Sequence, residues 1–118
     1  MTEQNYIHSI SANGRWFQFS ILEQLGNIGG EVQRYINAKA RKHDEHAIKA
    51  FERALELIDL TKLDPKNTKK LRYKEIALFR DLLCDTVLYD GKEFNTSIEY
   101  LNEYCNQFAM AARYHRDL

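Results

Sequence analysis

Apolar residues recur every three or four positions along nearly the whole chain, and only one proline, Pro65, interrupts the pattern. That period matches the 3.6-residue turn of an α-helix, and no stretch alternates long enough to read as a strand. Four amphipathic stretches result. The first spans Arg15 to Lys42 and carries Phe17, Ile21, Leu25, Ile28, Val32 and Ile36 on one side. The second follows Asp44, read as its N-cap, with Ala47, Ile48, Phe51, Ala54, Leu55 and Ile58 on its stripe. It ends before Asp64-Pro65-Lys66-Asn67, where proline pre-sets a turn. The third begins near Asn67 or Thr68, repeats Ile76, Phe79, Leu82, Leu83 and Val87, and closes at Asp90-Gly91. The fourth, capped by Asn95 or Thr96, carries Ile98, Leu101, Cys105, Phe108 and Ala112.

Short connections oblige sequential helices to pack antiparallel, so the expected fold is all-α, an up-down-up-down four-helix bundle over residues 1–118 as one domain. The first helix is expected to be longer than its partners and contains Gly26, Gly29 and Gly30. Each glycine costs a helix up to about 1 kcal/mol against alanine, so either the helix bends there or another element packs very close. Residues 1–13 show no periodicity and read as an N-terminal arm.

Composition narrows the function classes. Hydrophobic residues make up 44% and charged residues 29%, which argues against disorder. Lys+Arg and Asp+Glu both number 17, so no net charge announces a nucleic-acid or membrane partner. No apolar run approaches the roughly 20 residues that span a bilayer, and residues 1–5 lack the start of a signal peptide. The two cysteines, Cys84 and Cys105, sit in helical patterns and read as packed, reduced thiols, as expected of a cytoplasmic protein.

Catalytic and metal chemistry finds few footholds. The di-iron bundle sites need Glu-x-x-His, and the residues three before His8, His43, His46 and His115 are Asn5, Ala40, His43 and Ala112. His43 and His46, one turn apart, lack further placed ligands and read as a polar helix start rather than a zinc site. The glycines at 26, 29 and 30 follow no strand, and no Gly-x-Ser-x-Gly is present. The reading leans away from an enzyme and implies no cofactor.

The run Arg41-Lys42-His43-Asp44-Glu45-His46 contains an Arg-x-x-x-x-His spacing. It resembles the active-site motif of the HEPN-type ribonucleases, small helical bundles that often act as toxins. The resemblance would cast Arg41 and His46 as the pair that handles an RNA phosphate. It covers only this run, departs from the family pattern at Lys42, and falls between the first two helices. Otherwise the run reads as a solvated charged turn.

Two surfaces stand out. Between Lys62 and Lys74, the bases Lys62, Lys66, Lys69, Lys70, Arg72 and Lys74 face the single acid Asp64. This end of the bundle, shared with Arg15, Arg113 and Arg116, reads as a solubilising surface or as an RNA phosphate-contacting patch formed by Lys66, Lys69, Lys70, Arg72 and Lys74. The second surface is a spare stripe on the first helix, formed by Trp16, Phe19, Glu23, Gly26 and Gly30, with Tyr100, Tyr104, Ala111 and Tyr114 on the fourth. A bundle helix has one core-facing side, so a second stripe wants a neighbour. The leading expectation is a non-enzymatic interaction module that docks on another protein or forms a homodimer through helices 1 and 4. The runner-up is an RNA-directed protein, either a binder or a degenerate HEPN-like nuclease.

Overall fold

A computed structural model describes residues 14–117. The arm expected over residues 1–13, with His8, lies outside the described residues, as do the side chains of Lys70, His115 and Arg116. Among the described residues four α-helices form an antiparallel bundle: α1 (Ile21–Ala40), α2 (Asp44–Leu63), α3 (Lys70–Tyr89) and α4 (Ile98–Asp117). Two short 3₁₀ turns precede α1 and α3, at Arg15–Gln18 and Pro65–Asn67. Among the described residues there is no strand.

The first helix is not the long one expected. Each of the four helices has 20 residues. Gly14, at φ 106°, opens the Arg15–Gln18 turn, and Phe19 leaves it in extended backbone. Ser20 then starts α1 through a capping box: its Oγ accepts from Glu23 N at 3.1 Å, while Glu23 Oε1 accepts from Ser20 N at 2.9 Å. The shorter helix replaces one member of the expected core stripe, because Phe17 is exposed on the turn while Trp16 points inward.

The other boundaries shift by a residue or two. His43, not Asp44, is the N-cap of α2, with Asp44 and Glu45 in the first turn, where carboxylates suit the helix dipole. Asp64 holds the proline turn by accepting from Lys66 N at 3.1 Å, and α3 begins at Lys70. Asp90, at φ 60°, ends α3, and Gly91 follows at φ 73°. A side chain at Gly91 would also meet Thr96 O at 2.6 Å, so glycine is required there twice over. Ser97 caps α4, its Oγ accepting from Tyr100 N at 3.1 Å; the expected caps, Asn95 and Thr96, belong to the loop.

The core gathers Leu25, Ile28 and Val32 from α1, Leu57 and Ile58 from α2, Ile76, Phe79 and Leu83 from α3, and Leu101 and Cys105 from α4. α1 packs most extensively of all, between α2 and α4, while α3 meets its neighbours more sparingly. The glycines explain the close α1–α4 approach. A Cβ at Gly26 would lie 3.0 Å from Ala109 Cβ, and one at Gly29 only 2.5 Å from Cys105 Cβ. α1 runs unbroken through all three glycines, and close packing against α4 accounts for two of them.

Candidate interaction surface

The bundle end that holds the proline turn contains a buried polar cluster. Trp16 Nε1 donates to Thr61 Oγ1 at 2.9 Å, and that hydroxyl donates onward to Leu57 O at 2.7 Å. Gln24 Nε2 donates to Trp16 O at 3.0 Å and to Asp64 Oδ2 at 2.8 Å. Asn67 Nδ2 completes the cluster by donating to Gln24 Oε1 at 2.9 Å and to Thr61 O at 3.0 Å. Buried polar groups are tolerated when they find partners of this kind. Burial alone would raise the Asp64 pKa, but hydrogen bonds from Lys66 and Gln24 outweigh it and hold the carboxyl below its usual range.

This cluster changes the reading of the basic end. Lys66 Nζ donates to Phe17 O at 2.8 Å and pairs with Asp64, so it fastens the first turn to the bundle. Arg72 Nη1 donates to Lys66 O at 3.3 Å, and the Lys62 ammonium lies 5.6 Å from the centre of the Tyr73 ring. Lys69 and Lys74 remain exposed. Two of the five bases expected to contact phosphate therefore have structural partners within the chain.

The expected stripe on α1 is also divided. Trp16 is buried inside its own chain, and Gly26 is taken up by Ala109 of α4. Glu23 serves the capping box. Phe19 is exposed at its edge-on contact with Trp16, and nothing lies within 4 Å of a Cβ built on Gly30. On α4, Tyr104 stacks against Phe79 of α3 at 5.7 Å and meets Phe108 edge-on at 5.0 Å. Burial raises the Tyr104 pKa first, and the nearby Glu75 carboxylate adds to it. Tyr100 and Tyr114 are exposed. Trp16 and Gly26 thus leave the surface expected over α1 and α4, while Tyr104 of α4 packs against α3.

Sequence reasoning missed the apolar surface of α3. Leu71 is 81% exposed and Leu78 51% exposed. They lie two helical turns apart and so share a side, with Glu75 between them. Leu88 and Tyr89 extend exposed apolar surface toward the far end of α3. Glu75 lines a shallow groove together with Phe79, Tyr104 and Phe108, so this stripe adjoins the flank of α4 that carries Tyr104. The signal was present in the sequence as a seven-residue spacing beside the core stripe.

The remaining candidates bring no chemistry together. His43 and His46 are exposed and meet edge-on with ring centres 5.7 Å apart. Among the described residues, no group of three or more His, Cys, Asp or Glu side chains could hold a metal ion. Arg41 is the exposed C-cap of α1 and His46 lies on the exposed side of α2's first turn. Cys84 and Cys105 are free thiols. Burial pushes the Cys105 pKa up to about 12. Burial also raises that of Cys84, with Arg80 opposing the rise. Neither has the depressed pKa of a nucleophilic thiol. No helix among the described residues is long and apolar enough to cross a membrane.

The chain matches no protein-family model, no curated protein and no solved structure.

Proposed function

We propose that the protein is a non-enzymatic helical interaction module whose docking surface is the apolar side of α3 together with the adjoining flank of α4. One observation carries the reading: Leu71 and Leu78 stand exposed on the same side of α3, and Glu75 between them shares a groove with the half-buried Tyr104 and Phe108 of α4. Scattered surface leucines are ordinary, whereas an aligned pair flanked by aromatics forms a patch whose burial against a partner is favourable. The reading retains the interaction role expected from the sequence and moves its surface from α1–α4 to α3–α4. Cytoplasmic residence belongs to the same proposal, supported by two cysteines that are free thiols.

A photo-cross-linking residue at Leu78, in cells that express the protein, tests the reading. Protein adducts at position 78, absent when the probe is moved to the exposed Lys49 on α2, support it. RNA adducts at position 78, or adducts equally abundant at both positions, overturn it. Adducts to RNA that concentrate at Lys69 and Lys74 would favour the nucleic-acid reading instead.

A further inference from the structure

α3 departs from the charge rule that its neighbours follow. α1 has Glu23 in its first turn and Lys39 in its last; α2 has Asp44 and Glu45 in its first and Lys62 in its last. Carboxylates near a helix N-terminus and cations near its C-terminus are each stabilising by about 0.3–1 kcal/mol. α3 has no acid in its first turn, where Arg72 stands, and no base in its last turn, which Asp90 follows. Its N-cap, Lys69, makes no side-chain capping bond. Along the helix the bases Lys69, Arg72 and Lys74 lie toward the start and the acids Asp81, Asp85 and Asp90 toward the end; Glu75 and Arg80 are the exceptions, and Arg80 is paired with Asp59 of α2. The order is opposite to the one that a helix left to itself would favour.

The same helix carries the exposed apolar stripe. Lys74 lies between Leu71 and Leu78, three residues after the first and four before the second, and Asp81 lies three residues after Leu78. Residues three and four apart share a helix side, so Leu71, Lys74, Leu78 and Asp81 form one face, bordered by Glu75 on the edge toward α4. All four are exposed. Among the described residues, neither Lys74 nor Asp81 forms a salt bridge.

We infer that a second copy of this chain packs antiparallel along α3, about a two-fold axis near Leu78, with Lys74 of each copy against Asp81 of the other. This inference rests on the interaction reading above and names the partner. The midpoint between positions 74 and 81 falls beside Leu78, so a single axis brings the two leucines together and closes both ion pairs. A two-fold contact of this kind uses one surface on both copies and ends the assembly at a dimer. Antiparallel pairing also sets the basic start of each α3 beside the acidic end of the other, which turns the inverted charge order into an attraction. A parallel pair would set like charges together, and a partner of a different sequence would have no need of a helix complementary to its own reverse.

The test is sedimentation equilibrium of the full chain and its variants at low salt, each checked for helix content by circular dichroism. Wild type should sediment at twice the 13.9 kDa of one chain. Leu78→Glu should sediment as a monomer. Lys74→Asp and Asp81→Lys should each raise the dimer dissociation constant about tenfold, because each places two like-charged pairs at the axis. The double variant K74D/D81K should return to within about threefold of wild type, since opposite charges face each other again. The charge variants alter exposed positions, so unfolding would not mimic their effect. A dimer insensitive to the single charge changes, or one that the double variant fails to restore, overturns α3 pairing. A wild-type chain that stays monomeric at about 200 µM overturns it as well. Neither result touches the interaction reading, which the adducts at position 78 decide separately.

Discussion

The indole nitrogen of Trp16 and the hydroxyl of Thr61 lie 2.9 Å apart in the core, joining residues 45 positions apart in sequence. The hydroxyl accepts from the indole and donates to Leu57 O, so one side chain satisfies the tryptophan and is itself satisfied. The contact fixes the Arg15–Gln18 turn across the end of the bundle, with Gln24 and Lys66 holding the turn's carbonyls at Trp16 and Phe17.

Thr61→Val keeps the shape of the side chain but leaves the indole N–H buried without an acceptor. The expected cost is about 1–3 kcal/mol, the penalty for an orphaned buried donor. Urea unfolding followed by tryptophan emission measures it directly, because Trp16 is the one tryptophan of the chain. Phe19→Ala, at an exposed neighbour of the same ring, should cost about 0.5 kcal/mol or less. Equal losses at the two positions would contradict the role given to the Thr61 hydroxyl.

Asp64 should make the bundle sensitive to acid. Its folded carboxyl titrates below the ordinary value of 3.8, because the bonds from Lys66 and Gln24 to the charged form outweigh the burial that opposes it. A group with a depressed folded pKa contributes stability that is fully present above the unfolded value. That contribution fades as pH falls below 3.8 and through the lower folded value. Asp64→Asn should therefore be less stable than wild type at neutral pH and lose less on acidification. Unfolding free energies measured across this window check the sign. Parallel curves for the two proteins would show that Asp64 is not the group responsible.

The helices were legible in the sequence because hydrophobic period survives any detail of packing. Leu25, Ile28 and Val32, and likewise Leu101, Cys105 and Ala112, occupy the core side that their spacing predicts. The start of α1 was misplaced because Trp16 and Phe17 continue the apolar count, although Ser20 and Glu23 spell the capping box that marks the true boundary. The polar cluster was not legible at all. Gln24, Thr61 and Asn67 are each residues usually found on surfaces, and only the fold brings positions some 40 apart together. The apolar side of α3 was overlooked for a different reason. Its leucines stand next to the core stripe of Ile76, Phe79 and Leu83, and sequence period alone does not say which of two adjacent stripes is covered. The tyrosines of α4 show the same ambiguity, with Tyr104 packed on α3 and Tyr100 left outside.

The neighbouring glycines of α1 offer a test in which the two variants should differ in sign. Replacing glycine by alanine inside a helix normally stabilises by about 0.8–1 kcal/mol, because the backbone has less freedom to lose. Gly30→Ala should realise that gain, since nothing lies within 4 Å of the added Cβ. Gly29→Ala adds the same atom 2.5 Å from Cys105 Cβ, a separation that two carbons do not tolerate. The obstacle is the first side-chain atom of a residue in α4, so no rotamer change removes it and the two helices must move apart. Overpacking of this kind costs about 1–3 kcal/mol, enough to exceed the propensity gain. Gly26→Ala should fall between the two, because its Cβ would stand 3.0 Å from Ala109 and needs a shift of only a few tenths of an ångström. Urea midpoints should therefore order Gly30→Ala above wild type and Gly29→Ala below every other form. A Gly29→Ala protein as stable as Gly30→Ala would mean that α1 and α4 do not approach as closely as the glycines imply.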